Sequence, residues 1–302
     1  RDFFGIKPMH YAMVDGSFVY ASEIKSILEY PKYKKKFNHK ALDNYLSFQY
    51  VVPPETFFEG IYCLLPGHYL WYRDGKVTTT RYFEATFKPD ESLTLDKAVD
   101  EIEAVFEDSV NAHKISDVEV GCFLSSGVDS SYVSTYFADQ KTFTVGFDFG
   151  DHYNEISWAK RLSEKIGVDH HTKLIGSDEF WGAVPKVQYQ MDQPLADPSC
   201  IALYFVSKLA SKYVKVVLSG EGADELFGGY TVYNEPHVFK LYQKIFNQKA
   251  RTALANKARK MPHIKGRGFI LRGERVTEEK FIGNAFLFDD KEKDEILKDT
   301  SI

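Results

Sequence analysis

Residues 118–130 read V-E-V-G-C-F-L-S-S-G-V-D-S, an apolar stretch with the composition of a β-strand that runs into a turn of small residues. Residues 131–137, S-Y-V-S-T-Y-F, favour the first turns of a helix. Such a turn leaves backbone N–H groups unpaired at the positive end of the helix, and these groups suit a phosphate. The stretch lacks G-K-[ST] and G-x-G-x-x-G, so it is neither a Walker loop nor a dinucleotide fingerprint. We therefore predict a phosphate-binding loop of another kind.

A second segment of similar design follows later in the chain. Residues 215–218, K-V-V-L, have strand composition, and residues 219–230 read S-G-E-G-A-D-E-L-F-G-G-Y. Between the two segments we predict strands at 142–147 and 170–175 and helices at 154–166, 178–190 and 199–213. This alternation predicts a parallel sheet wrapped by helices on both faces. Ligands of such sheets bind outside the carboxyl ends of the strands, so we expect the strand ends at Leu124, Phe147 and Leu218 to converge on one crevice.

The segment before this region favours β-structure. Residues 11–21 and 69–80 each contain a D-G turn between strand-like runs, which predicts two hairpins. From Leu93 the apolar residues take helical spacing, with Thr94 as the predicted N-cap.

The segment after this region reads differently. Beyond Pro236 the chain is mostly helical and basic, with an irregular loop predicted at 262–273. We predict three domains: a β-rich domain and linker at 1–88, a nucleotide-binding domain at 89–234 and a helical extension at 235–302.

Composition limits the class of protein. The 302 residues are 44% hydrophobic and 27% charged, as in soluble globular proteins, and the formal net charge of −5 disfavours nucleic-acid binding. The sequence contains no run of eighteen apolar residues, so no membrane span is predicted. The three cysteines, Cys63, Cys122 and Cys200, lie far apart, which predicts neither a disulfide framework nor a zinc site. They are expected to be small core residues in a reducing cytoplasm.

Both loop segments resemble those of one known family. Residues 125–130 resemble the S-G-G-x-D-S loop of the ATP pyrophosphatases, and residues 219–230 resemble the S-G-E-G-x-D-E-x-F-G-G-Y segment of the asparagine synthetases and the related β-lactam synthetases. Residues 1–8 and 21–25 resemble the end of their glutamine amidotransferase domain, and residues 65–69 resemble the segment that leads into their synthetase domain. The resemblance implies an α/β parallel-sheet ATP pyrophosphatase domain (adenine nucleotide alpha hydrolase-like), preceded by the β-rich tail of a class II glutamine amidotransferase domain.

The resemblance also implies an activity. A ligase of this family uses MgATP to adenylate the β-carboxylate of L-aspartate, and ammonia then displaces AMP to give asparagine and leave pyrophosphate. Two alternatives share the motifs: another adenylating, amide-forming enzyme of the β-lactam synthetase or peptide cyclase kind, and a non-catalytic nucleotide-binding module. A homodimer is the assembly considered for this protein.

Site residues follow from the resemblance. Glu221 is expected to serve adenylation and the ammonia step, while Asp129 and Asp224 are expected to bind Mg²⁺. A nucleotide pocket is expected to be lined by Leu124, Ser125, Ser126, Gly127, Asp129, Ser130, Val145, Ser219 and Gly220. Competing interpretations are a helix cap for Asp129, core burial for Leu124 and Val145, and solvated acids for Glu221 and Asp224. Asp192 and Ser199 are expected to line the active-site wall, with helix capping as the alternative for Ser199.

Three departures from the family pattern carry expectations of their own. Ser126 replaces a glycine, which costs about 1 kcal/mol if the position needs a positive φ and nothing if it needs only a small side chain. The chain begins at Arg1, and nothing in it matches the family's amidase cysteine. We therefore predict a fragment that is truncated at both ends and that does not hydrolyse glutamine by itself. The family also has a downstream catalytic lysine, and no lysine of this sequence is assigned to that role.

Overall fold

The computed structural model describes residues 1–137, 140–150, 154–262, 264–276, 279 and 285–297. The chain begins with strand β1 (His10–Val14) and strand β2 (Ser17–Ala21), which form the first predicted hairpin. Asp15 and Gly16 both have positive φ, 48° and 75°, as a type I′ turn requires. Strand β3 (Ile61–Cys63) pairs with the other edge of β1, which gives an antiparallel sheet of order β2-β1-β3.

Two helices also lie in this segment, where the sequence indicated only β-structure. They are α1 (Ile24–Leu28) and α2 (His39–Phe48). The prediction missed α1 because it is five residues long, too short for a clear helical period. Its Ile24 and Ile27 pack against Ala12, Val14 and Ile61 of the small sheet, so burial of these two residues stabilises the helix.

The second predicted hairpin is also present. Strand β4 (His68–Arg73) pairs with strand β5 (Lys76–Arg81) in a separate two-stranded sheet. Asp74 and Gly75 form the turn with φ of 51° and 76°.

A four-stranded parallel sheet dominates the middle of the chain, as predicted. Its strands are β6 (Val120–Phe123), β7 (Lys141–Phe147), β8 (Asp169–Ile175) and β9 (Val216–Leu218). They lie in the order β8-β7-β6-β9, and every pairing is parallel. The chain moves from β6 to one side to form β7 and β8, then crosses to the other side of β6 for β9. The strand order therefore reverses between β6 and β9, where open α/β sheets bind ligands.

Helices cover both faces of this sheet. They are α3 (Leu95–His113), α4 (Val128–Ser134), α5 (Ile156–Ile166), α6 (Ser177–Gln190) and α7 (Ser199–Ala210). One buried cluster joins Val110 of α3 and Val133 of α4 to Cys122 of β6. A second joins Phe143 of β7 to Leu209 of α7. The sheet is thus the central layer of a three-layer structure.

Thr94 caps helix α3 as predicted, but only part of the predicted apolar face of this helix is buried. The hydroxyl of Thr94 accepts a hydrogen bond from Lys97 N at 3.4 Å, and Val110 is buried. Val99 and Val105, by contrast, are 52% and 70% exposed. Helical spacing reports the periodicity of a helix, whereas the burial of each turn depends on what packs against it.

The chain after β9 is mainly helical. Its elements are α8 (Ala223–Phe227), a 3₁₀ turn (Thr231–Asn234), α9 (Glu235–Ile245), α10 (Gln248–Arg259), α11 (Arg267–Arg272) and α12 (Asp290–Ile296). The prediction of an irregular loop at 262–273 was wrong for α11. Gly266, with φ of 92°, precedes this helix, and Phe269 packs against Phe239 and Tyr242.

Contacts divide the chain into two compact units. One comprises Arg1–Gly220 together with the segment from Leu287 onward, and the other comprises Glu221–Phe286. The three-domain division at 88 and 234 stays a prediction. Among the helices described, none combines the length and apolar composition that a membrane span requires.

Asp192 joins the N-terminal segment to the central sheet region within the first unit. Its carboxylate accepts hydrogen bonds from the backbone N–H of Ile24 at 2.6 Å and from Lys25 Nζ at 2.7 Å. The side chain is only 8% exposed, and Asp192 has a φ of 63°. The amide oxygen of the adjacent Gln193 accepts from Phe57 N at 2.8 Å. Asp192 therefore holds the start of α1 against the turn between α6 and α7.

This placement corrects the expectation that Asp192 lines the active-site wall. Its oxygens are engaged in these structural contacts, and the motif around it gave no sign of a partner 168 residues earlier. Ser199, the first residue of α7, donates its backbone N–H to Asp197 Oδ1 at 2.9 Å. Its assignment to the wall remains a prediction.

We expect Asp192→Ala to destabilise the fold strongly, because it removes both a helix cap and the partner of Lys25. The expected loss in the free energy of unfolding is about 2–3 kcal/mol, since Lys25 remains partly exposed to water. Asp192→Asn keeps an acceptor and a residue type that tolerates positive φ, so we expect about half that loss. Urea unfolding of both variants measures the difference, and equal stability of the alanine variant and the parent protein would contradict this role.

Candidate active site

The crevice begins where β6 ends and β7 continues. Phe123 lies beside Phe143 in the parallel register, and β6 ends there, whereas β7 extends to Phe147. Residues 144–147 therefore lie beyond the end of β6, next to the start of the loop at 125–130. Leu218 pairs with Cys122, so β9 ends beside the end of β6, and a ligand crevice at these strand ends stays a prediction.

Hydrogen bonds within the loop hold it in a tight turn. Ser125 N donates to Ser130 Oγ at 3.0 Å, and the two hydroxyl oxygens of these serines are 2.7 Å apart. Gly127 N donates to Ser125 Oγ at 3.1 Å. Helix α4 then begins directly after Gly127. Hydrogen bonds with the side chains of Ser125 and Ser130 thus hold the loop in its turn.

Ser126 is not strained. The only non-glycine residues with positive φ in the described parts of the chain are Asp15, Gln49, Asp74 and Asp192. The position therefore does not need the conformational freedom of glycine. The hydroxyl of Ser126 donates to Glu155 Oε1 at 3.0 Å, a contact that the sequence did not predict.

The second loop meets the first at Gly220. A Cβ atom placed on Gly220 would lie 2.8 Å from the backbone nitrogen of Ser130 and 3.0 Å from the backbone carbon of Asp129. Only glycine allows this approach, because both neighbours are main-chain atoms that cannot turn aside. The loops after β6 and β9 are therefore in direct contact at the point where the strand order reverses.

Leu124 and Val145 lie at and beyond the end of β6. Leu124 is 2% exposed, its N–H donates to the Phe143 carbonyl at 2.9 Å, and its carbonyl accepts from the Thr144 hydroxyl. Val145 packs against buried clusters of the sheet region. Core burial thus accounts for the Leu124 side chain, and contact of either backbone with adenine stays a prediction.

In the second unit, a turn of two glycines encloses Asp224. Helix α8 begins at Ala223, after Gly222 with φ of 91°. Glu221 therefore precedes the helix, whereas Asp224 lies in its first turn. Gly228 has φ of 68°, and Gly229 N donates to the Asp224 carbonyl at 2.9 Å. A Cβ on Gly229 would overlap the Asp224 carboxylate, which explains the second glycine.

Acidic side chains dominate the electrostatics of this turn. Burial, a hydrogen bond to Glu225 and the negative charges of Glu225, Asp224 and Glu221 together raise the pKa of Tyr230 to about 12. The Tyr230 hydroxyl donates to Glu225 Oε1 at 3.0 Å. A concentration of carboxylates that disfavours a further negative charge favours a divalent cation.

The donor set for a cation is incomplete in the protein alone. Within the described part of the chain, no group of three or more His, Cys, Asp or Glu side chains is placed to hold a metal ion. This fits Mg²⁺, which keeps several waters and commonly binds through one or two carboxylates plus the phosphates of its substrate. Binding of Mg²⁺ by Asp129, in the first turn of α4, and by Asp224, in α8 of the second unit, stays a prediction.

The sheet order and the loop after β6 define an α/β protein of the ATP pyrophosphatase type. The sequence profile of the asparagine synthase family matches residues 101–283, and that of the glutamine amidotransferase domain matches residues 1–83. The chain belongs to the asparagine synthase family. Both parts of the predicted fold class are thereby confirmed.

Individual relatives agree with this assignment. The chain is 39% identical to the glutamine-hydrolysing asparagine synthetase 1 of Bacillus subtilis, over 99% of this chain and 48% of the relative. It is 38% identical to a putative glutamine-hydrolysing asparagine synthetase of Mycobacterium tuberculosis, over 98% of this chain and 47% of the relative. It is also 29% identical to the amidase chyE of Penicillium rubens, over 77% of this chain and 38% of the relative. The chain spans about half the length of the asparagine synthetases it matches.

Proposed function

We propose that this chain carries the ATP-dependent, amide-forming part of an asparagine synthetase. The reaction would join the β-carboxylate of L-aspartate to AMP, release pyrophosphate, and then form asparagine with ammonia. Adenylation is required because a carboxylate is a poor electrophile and AMP is a good leaving group. The observation that carries the proposal is the contact of Gly220 with Asp129 and Ser130, which brings the two family motifs together at the ligand-binding edge of the sheet.

The loop at 125–130 would bind the β and γ phosphates. Helix α4 begins directly after Gly127, so its first backbone N–H groups and the partial positive charge of its N-terminus lie next to the loop. Ser125, Ser126, Gly127 and Ser130 shape this turn, and Ser219 and Gly220 would form the opposite side of the nucleotide pocket. Leu124 and Val145 would contact the adenine.

Mg²⁺ would neutralise charge on the phosphates as the pyrophosphate leaves. Asp129 and Asp224 would hold it, with phosphate oxygens and waters as the other ligands. Three carboxylates, those of Glu225, Asp224 and Glu221, lie close enough to Tyr230 to add to the effect of burial in raising its pKa, and such negative charge around the turn favours a cation.

Glu221 would act on the substrate. It lies between Gly220 and Gly222, so its backbone can approach a ligand closely without a neighbouring side chain in the way. A carboxylate at this place would accept a proton from the attacking ammonium, which must be deprotonated to act as a nucleophile.

Ammonia would come from glutamine in a longer protein. The names of the bacterial relatives state that they hydrolyse glutamine, and residues 1–83 match the profile of a glutamine amidotransferase domain. Cys63, Cys122 and Cys200 are all buried, and burial raises the pKa of the Cys122 thiol to about 12. A buried thiol that stays protonated does not serve as a nucleophile. The free cysteines agree with a reducing cytoplasm, and a homodimer is the assembly to test by light scattering.

A second candidate is another adenylating enzyme with a different acceptor carboxylate. It is favoured by the relative from Penicillium rubens, which is called an amidase rather than a synthetase. Pyrophosphate release from MgATP, measured with L-aspartate and ammonium and then with other carboxylates, distinguishes the two. Release that requires L-aspartate and matches asparagine formation supports the synthetase, whereas release with a different carboxylate supports the alternative.

We expect Glu221→Gln to lower asparagine formation about 100-fold, the usual scale for losing a positioned general base. ATP binding should change little, because the amide keeps the shape of the side chain. Binding is measured by calorimetry and turnover by pyrophosphate release. Full turnover in this variant would remove Glu221 from the mechanism.

A further inference from the structure

Glu155 places a carboxylate on the loop that is proposed to bind phosphate. It immediately precedes helix α5. Its Oε1 accepts a hydrogen bond from the Ser126 hydroxyl at 3.0 Å, and its Oε2 lies 3.4 Å from the backbone nitrogen of Ser126. Both carboxylate oxygens therefore face donors of a single loop residue, as two oxygens of a phosphate group would.

The start of α5 does not require this side chain. The Asn154 side chain accepts from Ile156 N at 3.2 Å, and the Glu155 side chain makes no capping hydrogen bond of its own. Within the described residues, no lysine or arginine forms an ion pair with Glu155. Its recorded partners are thus the two donors of Ser126, which lies 29 residues earlier in the chain.

Glu155 and a triphosphate would compete for these donors. A carboxylate and a phosphate are both anionic acceptors, and two anions cannot share one hydroxyl and one N–H at hydrogen-bonding distance without strong repulsion. Binding of ATP to the loop therefore requires the Glu155 side chain to leave it. The apparent affinity falls by the fraction of molecules in which the loop is free.

We propose that Glu155 is an internal competitor for the phosphate loop: it occupies the Ser126 donors when no nucleotide is bound and so weakens binding of the triphosphate. This inference rests on the proposed function, since it takes the loop at 125–130 as the phosphate site. It adds a residue outside both motifs to those that set ATP affinity. It also assigns Ser126 a function that a glycine cannot fill, because glycine has no hydroxyl to hold the carboxylate.

The same exchange would assist product release. Pyrophosphate binds the loop through the donors that Glu155 would reclaim, so a returning carboxylate displaces the product from within the protein. Glu155 would then affect the affinity for ATP and for pyrophosphate in the same direction.

The test measures binding directly, without turnover. Calorimetry on the whole chain gives the Kd for ATP and the Kd for inorganic pyrophosphate, each measured with and without Mg²⁺. We expect Glu155→Gln to lower both Kd values about five- to tenfold, because a neutral amide holds the loop less strongly and repels the ligand less. The matched control is Glu164→Gln, which makes the same charge change on the exposed face of the same helix and should leave both Kd values unchanged.

A double-mutant cycle separates competition from long-range repulsion. Ser126→Ala removes the hydroxyl that holds Glu155, and its effect is measured in the parent chain and in Glu155→Gln. Competition predicts a larger loss of affinity in the Glu155→Gln background, because there the hydroxyl is held less strongly and is more often free for the ligand. Additive effects would overturn the proposal, since they indicate a through-space charge effect alone.

Other outcomes are equally decisive. Unchanged or weaker binding of ATP and pyrophosphate by Glu155→Gln would overturn the inference and leave the proposed function intact. If binding became weaker only when Mg²⁺ was present, Glu155 would be a cation ligand instead. Failure of the parent chain and of all variants to bind either probe would overturn the proposed function together with this inference. Binding by Glu155→Gln when the parent binds nothing measurable would support it. Circular dichroism confirms that each variant is folded.

Discussion

Replacement of Asp129 by alanine is expected to reduce pyrophosphate release from MgATP by at least about 100-fold, because a carboxylate on a catalytic Mg²⁺ supplies several kcal/mol of charge stabilisation. Asp129 lies in the first turn of α4, where its backbone also contacts Gly220. Asp129 therefore lies where the first residues of the second motif meet the first motif.

The competing interpretation gives Asp129 only a favourable interaction with the helix dipole. That interaction is worth about 0.3–1 kcal/mol, which changes stability slightly and turnover hardly at all. Asp178 provides the matched control, because it occupies the first turn of α6 and is exposed. Asp178→Ala should therefore show the dipole effect alone. Similar losses of turnover in the two variants would contradict the metal assignment, as would an unchanged Mg²⁺ dependence in Asp129→Ala.

Gly220→Ala is expected to be nearly as damaging, for a steric reason. The added Cβ would lie 2.8 Å from Ser130 N and 3.0 Å from the carbon of Asp129, so one of the two loops must move. Overpacking of this kind costs about 1–3 kcal/mol of stability, and displacement of the phosphate loop should lower turnover more than tenfold. Urea unfolding and pyrophosphate release measure the two effects separately.

Gly182→Ala serves as the control for this substitution. Gly182 lies within α6, and a Cβ there would have nothing within 4 Å. Alanine favours a helix interior over glycine, so this variant should gain about 0.5–1 kcal/mol and keep full turnover. If Gly220→Ala behaved in the same way, the close approach of the two loops would not matter for function.

The sequence predicted the parts of the fold that depend on local pattern. The D-G turns at 15–16 and 74–75, the Thr94 cap and the alternation of strands and helices are all present. Each is determined by residues close together in the chain, where propensity and turn chemistry act directly.

The misses share a different physical cause. Helix α1 is held by burial against β-strands, and α11 is held by aromatic packing against α9. Asp192 reaches the start of α1, and Glu155 reaches Ser126. In each case the partner is distant in sequence, so the three-dimensional arrangement decides the outcome and no local pattern records it.

The Asp192 contact has a consequence for how the first unit unfolds. Its carboxylate binds the backbone of Ile24 and the side chain of Lys25, so release of the small antiparallel sheet region would break these hydrogen bonds and the ion pair with Lys25. Such a cost couples the two layers and favours a single cooperative transition over stepwise melting. The exposed connector at 84–94 can then be cut without separating the pieces on either side of it, since the cohesion between them does not depend on chain continuity.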